Sequence, residues 1–128
     1  MRLSVKPVKN YQNINSFEFG TEWIIRADEA NQLVFQIVDL DQDGLRYISQ
    51  ATPVSVQVVF PAVNPANVIT KTATSISAQD LSLWSVSLAA NEKPSTGNVQ
   101  FILNENGNIR RFVLQQGLVV EMFNQGGC

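Results

Sequence analysis

The densest group of chemistry-capable side chains is Asp39-Leu40-Asp41-Gln42-Asp43-Gly44. Three carboxylates at alternate positions followed by glycine match the opening of an EF-hand calcium loop, where oxygens of that spacing wrap a hard cation. The match then breaks. The twelfth loop position is Gln50, where a bidentate Glu is needed, and the flanking segments have the patterning of strands rather than helices. Asp39, Asp41 and Asp43 are therefore metal candidates only for a calcium site outside the EF-hand pattern. The competing reading is a tight turn, in which Asp tolerates the geometry and Gly44 supplies positive φ. Turn chemistry accounts for every residue of the motif, so the expectation is a turn without a metal.

The rest of the inventory argues against catalysis. The chain contains no histidine, which removes Ser-His and Cys-His activation and the commonest general base. Its one cysteine, Cys128, sits in Gly126-Gly127-Cys128, where nothing would depress a thiol pKa. Zinc sites built from His and Cys clusters cannot form, and no glycine-rich phosphate loop precedes a helix. Paired carboxylates remain arithmetically available, but apart from Asp28-Glu29 and the Asp39–Asp43 group the acids are scattered singly. The expectation is a protein that is not an enzyme, with no catalytic residue, no cofactor and no small-molecule substrate.

Charge narrows the partners. Only 16% of the 128 residues are charged and the net charge is -2. Asn, Gln, Ser and Thr take the place of ions, giving a polar surface that is buried with little charge desolvation. The one adjacent basic pair, Arg110-Arg111, points to opposite faces of a strand, so no clustered basic footprint for nucleic acid arises. No apolar run reaches the ~18–20 residues of a membrane-spanning helix. Met1–Pro7 lacks the apolar stretch of a secretory signal, and one cysteine cannot make an internal disulfide, which together suit a reducing cytosol. Among the aromatics, Trp84 alternates with Val86 and Leu88 and reads as core. Trp23 is ambiguous, and Tyr11, in a polar segment, is the best candidate for an exposed contact.

The elements that would position these residues are strands. Leu3–Val8 is a first strand, followed by a polar stretch to Ser16. Phe17–Phe19, Thr21–Ala27, Gln32–Asp39, Leu45–Ile48, Val54–Val58, Asn67–Ile76 and Asp80–Leu88 follow as short β-runs, with loops around Pro61 and Pro65 and over Ala89–Gly97. Asn98–Leu103 and Asn108–Leu114 flank Asn106-Gly107, the strongest hairpin signal, and Gln115-Gln116-Gly117 turns into Leu118–Phe123. About seven to nine short strands without a helical stripe imply one all-β, antiparallel sandwich over residues 1–128. Residues 1–15 are a candidate N-terminal arm and residues 124–128 a C-terminal tail. The arm and the last strand are the candidates for pairing with neighbours, which makes Leu3, Val5, Tyr11, Val119 and Phe123 the interface candidates.

Phe35-Gln36-Ile37-Val38-Asp39 before the Asp43-Gly44 turn resembles the early hairpin of phage baseplate upper protein N-terminal domains. Leu83-Trp84-Ser85-Val86-Ser87-Leu88, Thr96-Gly97 and Val99-Gln100-Phe101 resemble their closing pattern. The resemblance covers roughly Gln32 to Leu114 and implies an Ig-like sandwich that docks components onto a tailed-phage virion. The chain departs from that family in lacking a long C-terminal region that would carry fibres. The expectation is a virion structural protein of the tail or baseplate, assembled in the host cytoplasm, whose partners are other virion proteins and copies of itself. A capsid decoration protein and a carbohydrate-binding module are the alternatives.

Overall fold

The structure, a computed structural model, describes residues 2–121 apart from 14, 27, 78 and 79. Among the described residues the chain forms eleven strands: β1 (Leu3–Asn13), β2 (Ser16–Phe19), β3 (Trp23–Arg26), β4 (Asn31–Asp39), β5 (Leu45–Arg46), β6 (Val54–Phe60), β7 (Ile69–Thr72), β8 (Thr74–Ser77), β9 (Asp80–Leu88), β10 (Gly97–Glu105) and β11 (Asn108–Glu121). They make two sheets. The first has the order β2-β1-β4-β9-β8, with β5 beside the end of β4, and the second has the order β3-β11-β10-β6-β7. The sheets pack face to face as a β-sandwich, the architecture expected from the sequence.

Alternation decides which side chains enter the core. Strand side chains point to opposite faces in turn. On β6 and β10 this sends Val56, Val58, Phe60, Val99, Phe101 and Leu103 inward, all at most 1% exposed. From the other sheet, Leu33, Phe35, Ile37, Trp84, Val86 and Leu88 meet them. The Phe35 and Phe101 rings lie 5.0 Å apart across the two sheets. Trp23 is edge-on to Phe35 and tilted against Phe101, with centroids 5.9 and 6.0 Å away. Its indole N–H donates to the Val34 carbonyl at 2.9 Å. The ambiguous Trp23 is thus a core residue, 3% exposed, and Trp84 is core as its alternation implied. Each fully buried aromatic of this set contributes about 1.5–3 kcal/mol of transfer free energy.

The strand count exceeds seven to nine because two runs behave differently from their composition. Lys9–Ser16 is not a loop: β1 runs to Asn13 and turns into β2, with Val8 opposite Phe19 and Asn13 opposite Ser16. Polar residues serve as well as apolar ones where backbone pairing is the requirement. The single Asn67–Ile76 run is two strands, because the chain changes sheets at the buried Ala73, whose N–H donates to the Val56 carbonyl at 2.8 Å. β7 pairs with β6, and β8 pairs with β9. Conversely, Gln115-Gln116-Gly117 does not separate two strands. It is a bulge within β11, where the partner of Gly97 is Leu118 and that of Val99 is Leu114. Gln116 takes φ 54° there and its N–H donates to Asn98 Oδ1 at 2.9 Å. Asn106-Gly107 does turn the β10–β11 hairpin, with φ 51° and 94°, the left-handed pair such a turn needs.

The candidate N-terminal arm is an interior strand, hydrogen-bonded to β2 on one side and to β4 on the other. The C-terminal strand is interior too: β11 lies between β10 and β3, the latter pairing in parallel from Leu118↔Trp23 to Glu121↔Arg26. Residues 124–128, including Cys128, lie outside the described residues. Because Trp23 joins both sheets, Trp23→Phe is expected to lower stability by about 2–3 kcal/mol, combining a small void with an unpartnered carbonyl. The check is equilibrium urea unfolding, which should show a lower midpoint at an unchanged slope.

Candidate functional site

The two sheets treat their outer faces differently. On the six-stranded sheet, the β1–β2 hairpin carries its own cover: Tyr11 and Phe17, with Ile76, pack over Val8, Val34 and the fully buried Leu83 in a second small cluster. Tyr11 stacks obliquely on Phe17 at 6.1 Å. The aromatic expected to be an exposed contact is therefore half-buried in the molecule's own packing. Lys6 sits 5.2 Å over the Phe19 ring beside this cluster.

The five-stranded sheet has no such cover among the described residues. Its register aligns the outward side chains in rows. One row runs Val113–Gln100–Val59–Thr70, the next Arg111–Ile102–Gln57–Thr72, and a third Ile109–Asn104–Ser55. Val113 is 50% exposed and Ile109 49%. Across the three rows the only ionisable side chain is Arg111. A solvated sheet face is ordinarily dotted with charges of both signs. These rows offer aliphatics, amides and hydroxyls, the side chains that are least costly to desolvate, and charge returns only beyond them, at the paired Arg26 and Glu121 positions of β3 and β11. Arg110, one residue earlier, points inward as strand alternation requires.

The sequence candidates divide accordingly. Val5 is buried at 4% in the main core and Leu3 packs against that core, so neither presents a free surface. Val119 pairs with Ile24, between the inward-facing Leu118 and Val120, and so lies on the outer face of the five-stranded sheet. Phe123 lies outside the described residues. The exposed face itself was hidden from sequence reading, because its members come from strands up to 58 positions apart and align only once the register is known (Ser55 and Val113 mark the span).

The Asp39–Gly44 motif folds as a turn. Asp39 Oδ1 accepts from the Asp41 N–H at 2.9 Å and the Gly44 N–H donates to the Asp39 carbonyl at 3.0 Å. Asp43 takes φ 58° and Gly44 φ 75°. Asp41 pairs with Arg2 at 2.9 Å, and this hydrogen bond holds its carboxyl below the usual carboxylate range. Among the described residues no three His, Cys, Asp or Glu side chains group as metal ligands.

A polar cluster that the sequence did not announce closes the same end of the sandwich. The Glu105 carboxylate, 9% exposed, accepts from Tyr47 Oη at 2.5 Å, Ser49 Oγ at 2.6 Å and Arg110 Nε at 3.0 Å. Burial alone would raise the Glu105 pKa, but the three donors outweigh it and hold it below the ordinary value. Burial, then the bond to Glu105, push the Tyr47 phenol up to about 12. The cluster ties the β5–β6 loop to the β10–β11 hairpin that carries the sparsely charged rows. At the opposite end, Ile25, Pro94 and Val120 floor a cavity of about 180 Å³. Lys93 and Asp28 on its rim are joined at 2.8 Å.

In comparison with known proteins, the sequence matches no family model and no curated protein.

The Glu105 cluster fixes a pH signature. A lowered carboxylate pKa contributes stability above about pH 4.3, lost as the pH falls through the lowered value; a phenol raised to about 12 contributes below about pH 10, lost between there and about 12. Glu105→Gln is expected to cost about 1–3 kcal/mol at pH 7, toward the lower end because Arg110 is partly solvated, and to flatten the acid limb of the stability–pH profile, while the alkaline limb, set first by the burial of Tyr47, shrinks only in part. Urea unfolding from pH 3 to 11 checks this; an unchanged profile in the variant would contradict it.

Proposed function

We propose that this chain is a non-catalytic structural module of a protein assembly, most specifically a virion component of a tailed phage in the tail or baseplate region, and that it is held there through the outer face of its five-stranded sheet. The observation that carries the reading is the part of that face built from β6, β7, β10 and β11: aliphatics, amides and hydroxyls in register with Arg111 as the one ionisable side chain of the three rows, beside a second sheet whose outer face is partly covered by Tyr11, Phe17 and Ile76. Interface cores are depleted in charge in the same way. The rigid sandwich beneath it presents the face as a preformed surface, which lowers the ordering cost of association.

The finer architecture we propose is Ig-like. The β1-β4-β9-β8 order in one sheet and β11-β10-β6 in the other follow the strand order of such sandwiches. The segments that carry the resemblance to baseplate domains become β4, β9 and β10, which lie inside the sheets. They set the scaffold, while the face that would contact partners is drawn from the outward residues of β6, β10 and β11.

Sedimentation velocity over a concentration series tests the use of this face. Wild-type protein is expected to associate as concentration rises, and Ile109→Glu with Val113→Glu to lower the association constant by at least about tenfold, because a buried unpaired carboxylate is costly. Phe19→Glu, on the other sheet, is expected to leave it unchanged. Association that ignores the paired glutamates but responds to Phe19→Glu would overturn the reading.

A further inference from the structure

β11 is 14 residues long, but β3 pairs only with its end, from Leu118 to Glu121. Beside Asn108–Gly117 no described strand lies on that side, so the position in line with β3 is vacant. The ladder fixes which backbone groups are left open there. Glu105 and Asn108 close the two-residue Asn106-Gly107 turn as a pair that exchanges both its hydrogen bonds, and such pairs recur at every second position. Arg110, Phe112 and Leu114 therefore bond to β10, while Ile109, Arg111 and Val113 direct N–H and C=O into the vacancy. We infer that this edge takes up an extended segment of a partner protein, antiparallel to β11, with apolar side chains at alternate positions and an acidic residue opposite Arg111. This contact is separate from the outer face and does not depend on its use.

Three features fix that chemistry. The vacancy runs beside two clefts of about 350 and 440 Å³, the first at Leu3 and Phe112, the next at Val5 and Leu114. These are successive inward positions on β1 and β11, so the clefts follow one another, and alternate side chains of an added strand would cover them. The ionisable residues lining the clefts are Arg2, Lys6, Arg110 and Arg111, with no carboxylate among the described residues. Arg2 is held by Asp41 and Arg110 by Glu105, each through Nε, which leaves the terminal nitrogens of both guanidiniums as donors. Arg111 forms no ion pair among the described residues. Directly opposed side chains share a face, so a carboxylate opposite Arg111 meets its guanidinium. Cations on the edge also deter pairing between two copies of this chain, which selects an acidic segment over a second β11.

The probe is the peptide acetyl-Thr-Val-Thr-Val-Glu-Thr-amide, whose Glu falls opposite Arg111 and whose Val residues fall opposite Phe112 and Leu114. It is added to the full chain at up to about 1 mM and followed by amide hydrogen exchange and backbone NMR shifts. In the free protein, Arg111 and Val113 are expected to exchange at least about tenfold faster than Arg110, Phe112 and Leu114. Bound peptide is expected to slow Arg111 and Val113 by at least about tenfold and leave the other three unchanged. A peptide with Lys in place of Glu is expected to bind at least about tenfold more weakly, and Arg111→Glu to reverse that preference. Unchanged protection of Arg110, Phe112 and Leu114 in Arg111→Glu verifies that the variant keeps its ladder to β10. Slow exchange of Arg111 and Val113 in the free protein would mean that the edge is already paired and would overturn the inference. So would no shift at about 1 mM peptide, or binding that ignores the Glu-to-Lys change. Concentration-dependent association through the outer face is measured without peptide, so its failure and the failure of this edge contact are read separately.

Discussion

The contact on which the molecule depends is the aromatic bridge between the sheets. Phe35 belongs to one sheet and Phe101 to the other, and Trp23 touches both while donating its indole N–H to the Val34 carbonyl. This bridge explains a topological choice. After β2 the chain leaves the first sheet and inserts β3 beside β11, the only parallel pairing among the described strands. Four residues would make a poor edge strand by themselves. Trp23 and Ile25, buried at 3% and 4%, give β3 its anchor. Once the inner faces are committed to the core, alternation leaves each strand a single outer row of side chains. The chemistry of those outer rows is what remains free for function.

The two outer rows are used in opposite ways. The β1–β2 hairpin folds aromatics over Val8, Val34 and Leu83, so part of one sheet is shielded by its own chain. The other sheet keeps the rows of β6, β7, β10 and β11 in solvent, aliphatics, amides and hydroxyls with one arginine among them. The Glu105 cluster stiffens the hairpin under it. Tyr47, Ser49 and Arg110 reach one carboxylate from three directions, which is favourable only because every donor is satisfied.

Much of this was legible in sequence where a signal is local. The Asn106-Gly107 hairpin, the Leu33–Ile37 run and the Trp84–Leu88 alternation each specify a conformation within a few residues. The Asp39–Gly44 turn was legible for the same reason, since its hydrogen bonds close over two to five residues. What was not legible depends on partners far along the chain. The sheet change at Ala73 lies inside a uniform Thr-rich run with equal strand propensity on both sides. The polar end of β1 is a strand because β2 pairs with it, and Tyr11 is covered because Phe17, Val34 and Leu83 arrive around it. Glu105 finds Tyr47 and Ser49 across 58 and 56 residues. The sparsely charged rows of the five-stranded sheet depend on the same long-range register.

The central claim is that the outer face of the five-stranded sheet is the working surface. The most direct measurement is backbone amide NMR across a dilution series up to about 1 mM, where even an association worth only about 4 kcal/mol is half formed. The account requires concentration-dependent shifts at Gln57, Gln100, Ile102 and Arg111, with the β1–β2 hairpin and β9 unchanged. Shifts confined to β1, β2 or β9, with those four amides constant, would contradict it.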